Sequence, residues 1–294
     1  MLALGIDIGG TNARAAVVEV ATGRLLASAK EAWADRTPEN VVSVVRSLVA
    51  KVSAGHELTG VAVGVGFAGM LRGDVVVNAP NLGWRDVDFG KPLAAALGRR
   101  VRLVNDLSAA AWGEFKAGAA RGATDAFTVF VGTGVGSAII SGGVLLSGAT
   151  GLAGEFGHTK LVADGGRLCG CGEHGCLEAY MGGAKLTEWM KESGIDGTPA
   201  DLEKLALEGA TPAKGLYDFA VGHFALAIAN QVTVLNPGVL VLGGGVLLRC
   251  PGIVKRVTDV VMTRASVASR SGLRIQHAEL GDDSGLVGAA LLGR

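Results

Sequence analysis

Residues 7–14 read Asp7-Ile8-Gly9-Gly10-Thr11-Asn12-Ala13-Arg14 and join two short apolar runs, 2–7 and 15–20. Apolar runs on either side of a glycine-rich tip read as a β-hairpin. Glycines without side chains also let backbone N–H groups face an anion, and Thr11 and Asn12 add donors. Asp7 ends the first strand, where a carboxylate can hold a divalent cation with its waters, as phosphoryl transfer needs. A turn that merely needs positive φ is the competing reading. The pattern returns with a strand at Ala126–Val131, the tight turn Gly132-Thr133-Gly134-Val135-Gly136 and a second strand at Ser137–Ile140. Two such bends at matching places point to a phosphate chain held from both sides.

Outward from the first hairpin, Leu25–Ala29 is a third strand, and Thr37-Pro38 gives a helix N-cap followed by proline. Val41, Val44, Val45, Leu48, Val49 and Val52 supply that helix's apolar stripe. Strands are expected at Val61–Val65, Val75–Val77 and Val101–Val104, and strand, strand, strand, helix, strand, helix, strand is an α/β layout. The second half adds a strand at Val144–Leu146, helices at 184–193, 201–208 and 213–235, and a strand at 239–242 entering Gly243-Gly244-Gly245. A helix near 251–269, a strand at 273–276 and a helix at 285–292 close the chain. Two α/β halves that each open with such a hairpin imply a two-lobed, duplicated fold with an interdomain cleft. The expected domains are a small one at 1–107, joined by the C-terminal helix 284–294, and a large one at 108–283.

Composition narrows the function. The chain has 294 residues, 49% hydrophobic and 18% charged, and 27 basic residues balance 27 acidic ones. A neutral chain argues against a nucleic-acid partner, which needs a basic surplus. The 47 glycines cluster at the bends, as expected where backbone approaches backbone or ligand. The start lacks a basic n-region and meets Asp7, and the most apolar later stretch, Val232–Leu248, is interrupted by Asn236-Pro237 and three glycines. No secretory or membrane segment is therefore expected, and the expected compartment is the cytoplasm. Four cysteines in such a chain, three of them clustered, favour a metal over disulfides.

No G-x-x-x-x-G-K-[ST] occurs, which closes the P-loop route. Gly64, Gly66 and Gly69 with Asp86 match a dinucleotide pattern, but Met70–Asp74 followed by Val75–Val77 reads as a hairpin, not the helix that motif needs. Asn105-Asp106 follows a strand, and an aspartate there can accept a hydroxyl proton; the alternative is an N-cap for a helix through Ala109–Phe115. His158, in Glu155-Phe-Gly-His158, precedes Cys169, Cys171 and Cys176. Three thiolates and one imidazole suit a tetrahedral structural zinc, with His174 as the rival fourth ligand. Zinc on one nitrogen of His158 would leave the other to donate to a ligand hydroxyl. Glu155 and Glu178 flank this unit and are either acceptors for a polyol's hydroxyls or solvated surface acids.

Taken together, these stretches resemble the ROK family (repressors, open reading frames and sugar kinases) of the actin-like and hexokinase-like ATPase superfamily. The resemblance rests on Gly5–Arg14, Ala79-Pro-Asn81-Leu82 with Trp84, Asn105-Asp106, Gly132–Gly136, Gly154-Glu155-Phe-Gly-His158, Cys169–Glu178 and Leu235–Gly244. They run in family order and cover the whole chain. The family resemblance implies a ribonuclease-H-like fold and an ATP-dependent sugar kinase, and within the family the similarity is to the bacterial glucokinases.

Carried over by position, Asp106 would be the base for the sugar hydroxyl, the 6-hydroxyl if glucose. Asn81, Asn105, Glu155, His158 and Glu178 would bind sugar hydroxyls. Asp7 would serve Mg²⁺, Gly10, Thr11 and Thr133 the phosphates of ATP, and Gly243-Gly244 the adenosine. His158 would both ligate zinc and contact sugar. The resemblance also implies a homodimer or homotetramer. Two departures stand out: Ser137 replaces a family glycine, adding a phosphate contact or filling space, and Gly66-Phe67-Ala68-Gly69 replaces a Pro-Gly loop near the sugar. Other hexoses, N-acyl hexosamines and polyphosphate as donor remain open, as does a non-catalytic sugar-sensing regulator. Regulators of this family carry an N-terminal helix-turn-helix, for which a first strand at Leu2 leaves no room.

Overall fold

A computed structural model describes residues 1–33 and 35–293. The chain forms two compact units. The first comprises Met1–Gly122, Ser147–Ala153 and Glu279–Arg294, and the second Ala123–Leu146 and Gly154–Ala278.

The first unit opens with β1 (Leu2–Ile8), β2 (Asn12–Glu19) and β3 (Leu25–Ala32), an antiparallel meander. Helix α1 (Pro38–Ser53) starts where Thr37 accepts the Asn40 N–H, and it buries Val41, Val45, Leu48, Val49 and Val52 as its stripe predicts. β4 (Val63–Phe67) follows, then a small sheet of β5 (Met70–Arg72), β6 (Val75–Ala79) and β7 (Trp84–Asp88). Next come α2 (Gly90–Leu97), β8 (Val101–Asn105) and α3 (Asp106–Ala117). The main sheet runs β3-β2-β1-β4-β8, with β1, β4 and β8 parallel, so these three strands end on one edge.

The second unit repeats the plan. β9 (Ala126–Val131), β10 (Val135–Ser141) and β11 (Val144–Leu145) form its meander. The helices α4 (Glu178–Met181), α5 (Gly183–Glu192), α6 (Pro199–Leu207) and α7 (Ala213–Leu235) lead to β12 (Val239–Gly243). After α8 (Gly245–Arg249), α9 (Pro251–Arg264) and α10 (Val267–Arg270), β13 (Arg274–His277) completes the order β11-β10-β9-β12-β13. Helix α11 (Ser284–Leu292) returns to the first unit.

Several elements depart from the sequence reading. The fourth strand sits at 63–67 instead of 61–65, because the Val61 N–H is spent in a turn on the Leu58 carbonyl. The helix expected at 251–269 breaks at Ala265, where Ser266 accepts the Ser269 N–H and starts α10. Helix α7 is 23 residues long with a mean hydropathy of 1.3, enough by length and composition to cross a membrane. The sequence reading places the most apolar stretch further on, at 232–248. One face of α7, including Ala220, Phe224, Ile228 and Val232, builds the core of the second unit.

The change of unit after α3 falls at Gly122/Ala123, beyond the expected 107/108, and residues 147–153 and 279–283 join the first unit. The reason is the packing of α3 against α11, which is backbone on backbone. A Cβ on Gly288 would lie 1.6 Å from the Ala109 carbonyl oxygen, and one on Gly113 would lie 2.4 Å from that of Ser284. The same helix lies on the sheet, where a Cβ on Gly64 would come within 1.7 Å of the Ala289 oxygen. Gly64, Gly113 and Gly288 therefore serve helix docking.

Candidate functional site

On the first unit's sheet edge, Asp7, Gly66 and Val104 share one row and Ile8, Phe67 and Asn105 the next. Adjacent strands lie about 4.8 Å apart, so Asp7 is about 10 Å from Val104. Parallel α/β sheets bind ligands at this carboxyl edge. Asp7 is half-buried; desolvation pushes its carboxyl above the usual range and Arg14, opposite it on β2, pulls it back. At the hairpin tip the Gly9 N–H donates to the Asn12 carbonyl at 3.0 Å, and the Asn12 amide donates to Thr11 Oγ1 at 3.0 Å. Gly10 touches Asn81, since a Cβ there would lie 2.7 Å from the Asn81 Cβ. The tip and the expected sugar ligand are thus neighbours.

Asn105 is the N-cap of α3, accepting the Leu107 and Ser108 N–H groups at 3.0 and 3.2 Å, while its Nδ2 donates to the Gly69 carbonyl at 3.2 Å. The capping alternative therefore holds for Asn105, and its amide also fastens the Phe67-Ala68-Gly69 loop. Asp106 is the first residue of α3, with Oδ1 accepting the Leu107 N–H at 2.9 Å. Sequence reasoning missed Arg36, which donates to the Asn81 carbonyl at 3.0 Å while its own carbonyl accepts from Trp84 Nε1. Nothing in the local pattern around Arg36 signals this contact, which joins residues 45 apart.

In the second unit, the Gly132 N–H donates to the Gly134 carbonyl at 3.0 Å, and the first N–H groups of α5 bond the Gly132 and Thr133 carbonyls. Glu178 Oε2 accepts the Val135 N–H at 2.9 Å and lies against Gly134, where a Cβ would be 2.3 Å away. Glu178 is therefore an anchored carboxylate and not a solvated one. Gly243 pairs with Phe130 across the sheet, and Gly244, with φ 88°, presses on Val131, which leads into the Gly132 turn. Ser137, whose hydroxyl reads from sequence as either a phosphate contact or a filler, is buried and donates to the Gly154 carbonyl at 2.8 Å, which fastens the start of the Glu155–His158 segment.

The four expected zinc ligands come together. His158 Nδ1 and the sulfurs of Cys169, Cys171 and Cys176 all lie within 4.8 Å of one another. A tetrahedral zinc with its usual bond lengths needs S···S near ~3.8 Å and N···S near ~3.6 Å. The Cys171–Cys176 and His158–Cys169 separations are 3.8 and 3.7 Å, so the donor set fits. His174 is not in this group; its carbonyl accepts from Lys160. Burial pushes the Cys169 thiol up to about 12 and raises that of Cys176, an environment in which thiolates need a cation. His158 turns its Nε2 toward the exposed Glu155, with 3.6 Å to Oε2, and Glu178 Oε1 lies 3.5 Å from the Cys169 sulfur. Glu155, His158, Glu178 and the Gly132 turn thus form one continuous constellation. A separate cavity of about 400 Å³, lined by Met70, Arg72, Val77, Thr150 and Leu152 among others, includes none of the predicted site residues.

A repeated α/β sheet with a glycine bend in each copy, and Asp7 and Asp106 on one edge of the first, defines a duplicated α/β fold. The chain belongs to the ROK family, whose model matches residues 3–294. It is 41% identical over 214 residues to the glucokinase of Streptomyces coelicolor, covering 72% of this chain and 66% of that protein. It is 37% identical over 193 residues to the N-acetylmannosamine kinase of Escherichia coli O157:H7, covering 62% of each. The crystal structure of a ROK family glucokinase from Streptomyces griseus, in complex with glucose and AMPPNP, superposes with a TM-score of 0.79 at 32% identity, covering 100% of this chain and 99% of that one.

Proposed function

We propose that this chain is an ATP-dependent sugar kinase, an ATP:hexose 6-phosphotransferase acting on glucose in the cytoplasm. The observation that carries this reading is the position of Asp106, first residue of α3 at the end of β8, on the sheet edge that also holds Asp7. Asp106 takes the proton of the sugar 6-hydroxyl as that oxygen bonds to the γ-phosphorus; the bond from phosphorus to the β–γ bridging oxygen breaks and ADP leaves with its electron pair. Positioning and charge stabilisation do most of the work in such a transfer. In this reading Gly9, Gly10, Thr11 and Asn12, and likewise Gly132, Thr133 and Gly134, are the phosphate-binding bends, and Gly243-Gly244 borders the adenosine. Asn81, Asn105, Glu155, His158 and Glu178 receive the sugar hydroxyls.

Two metals fit this scheme. Asp7 would hold Mg²⁺, which supplies charge neutralisation to the phosphates; its desolvated carboxylate gains from a cation. Zn²⁺ on His158, Cys169, Cys171 and Cys176 would be structural, fixing the His158 ring so that Nε2 serves the ligand side. Elemental analysis is expected to find one zinc per chain.

A second reading, phosphorylation of an N-acyl hexosamine, draws support from the Escherichia coli relative and from the Phe67-Ala68 loop fastened to Asn105. A coupled assay over hexoses and N-acyl hexosamines, with ATP or polyphosphate as donor, separates the two. The expected result is the highest kcat/KM for glucose with ATP. A preference for N-acetylmannosamine selects the second reading, and no sugar-dependent donor consumption overturns both.

A further inference from the structure

Among the described residues, Glu114 and Glu203 are carboxylates that are nearly fully buried, and the mechanism uses neither. Glu203 accepts the Gly252 and Ile253 N–H groups at 3.0 and 2.7 Å and the Tyr217 hydroxyl at 3.2 Å, so it caps α9. Glu114 is different. It is 0% exposed and accepts three backbone N–H groups: Ala119 at 2.9 Å, just past its own helix, and Glu279 and Leu280 at 3.0 and 2.9 Å, 165 residues later. Gly118 opens the space for the carboxylate, because a Cβ there would lie 2.2 Å from Oε2. Glu279 is the residue at which the chain re-enters the first unit.

The re-entering segment is fastened at its other end as well. Arg14 donates to the Asp282 carbonyl and pairs with the Asp283 carboxylate. Immediately after it comes the first turn of α11, where a Cβ on Gly285 would lie 3.5 Å from the Asp7 carboxyl carbon. Glu114 thus sits on α3, whose first residue is Asp106, and holds the strap that sets α11 and Arg14 against Asp7.

We infer that Glu114 is a positioning residue: by gripping 279–280 it fixes the Asp7 cation position relative to the base-bearing helix. Its effect on turnover rests on the kinase reading, whereas the grip itself does not. Glu114→Gln keeps the shape, but its amide group turns an N–H toward a backbone N–H, so at least one amide loses its acceptor. The expected result is a kcat lower by about tenfold, a sugar KM within about twofold of wild type and an Mg²⁺ activation constant raised by about fivefold, since small misplacements cost rate. Hydrogen exchange is expected to quicken over residues 279–285. Glu203→Gln is the control: it loosens residues 252–253 and leaves kcat, KM and the Mg²⁺ constant of the folded enzyme unchanged.

Should Glu114→Gln fail to fold, Leu280→Pro removes one donor while keeping the carboxylate, at a backbone φ of −81° that proline accepts. It is expected to show the same raised Mg²⁺ constant. Unchanged exchange at 279–285 in the folded variants overturns the grip. Faster exchange there with wild-type kcat and Mg²⁺ constant overturns the positioning role. A wild-type protein without sugar-dependent ATP consumption sinks the kinase reading instead, and the exchange data still decide the grip.

Discussion

The two five-stranded sheets share one strand order, yet their carboxyl edges are furnished differently. In the first, the second-last residue of the opening strand is Asp7 and the edge strand β8 ends at Asn105 followed by Asp106. In the second, the same places hold Phe130, and His277 followed by Ala278. Between them lies Gly243, where a Cβ would run into the Phe130 ring at 2.6 Å. The bends differ too, with four residues between Ile8 and Ala13 but three between Val131 and Val135. Duplication supplied two edges; the first carries the carboxylates Asp7 and Asp106, and the second carries Phe130, Gly243 and His277. Glu155 and Glu178 lie off the second unit's sheet edge, beside the cluster of His158 with the three cysteines.

The largest test of this asymmetry is Asp106→Asn. It is expected to lower kcat by roughly 10²–10⁴ while sugar affinity, measured by calorimetry, stays near wild type, because a general base contributes that much. Near-normal turnover would move the base elsewhere. Next is Gly288→Ala, which places a methyl against the Ala109 carbonyl; such a backbone clash exceeds ordinary overpacking and should cost at least about 3 kcal/mol, read by denaturant unfolding.

Asp7→Asn carries opposite signs for function and stability. Burial raises the folded-state pKa of Asp7, so the folded chain binds more protons than the unfolded one above the ordinary carboxylate range. Stability from this group is complete below its unfolded pKa and is lost as pH rises through the folded value. The variant should therefore melt a few degrees higher than wild type at pH 8, show no gain near pH 3, and lose Mg²⁺ activation. Equal melting temperatures at pH 8 would contradict the desolvation argument.

The smallest effect is expected in the second unit. Gly222 lies inside α7, and a Cβ there would meet nothing within 4 Å, so Gly222→Ala should stabilise by about 0.5–1 kcal/mol without changing activity. The contrast with Gly288 separates a glycine required by packing from one that is not.

The hairpins, α1 and α7 were legible because their signals are local: a glycine tip between apolar runs, a Thr-Pro start, a long apolar period. The convergence of His158 with Cys169, Cys171 and Cys176 was legible for the same reason, the cysteines being held on one short knuckle where Gly175 admits the Val162 carbonyl that a Cβ would meet at 2.0 Å. β7, with three charged residues in five, escaped notice, and α2, eight residues long without a side-chain cap, was expected as a helix but given no bounds. What sequence could not reveal were partners set by the fold: Ser137 on Gly154, Arg36 on Asn81 and Glu114 on Leu280. The docking of α11 hid the unit boundary for the same reason, since Gly113 and Gly288 are far apart in the chain and touch only after folding.

That last helix also dictates a timetable. Ala3, Ala16 and Val18 on the opening hairpin find their apolar neighbours in Leu286, Val287 and Ala290, which are translated long after them. A nascent chain emerging from the ribosome must keep one face of β1 and β2 uncovered until α11 has been made, while residues 154–278 can already collapse around their own core. Ribosome-stalled chains lacking residues 284–292 should accordingly recruit holding chaperones to their amino-terminal sheet.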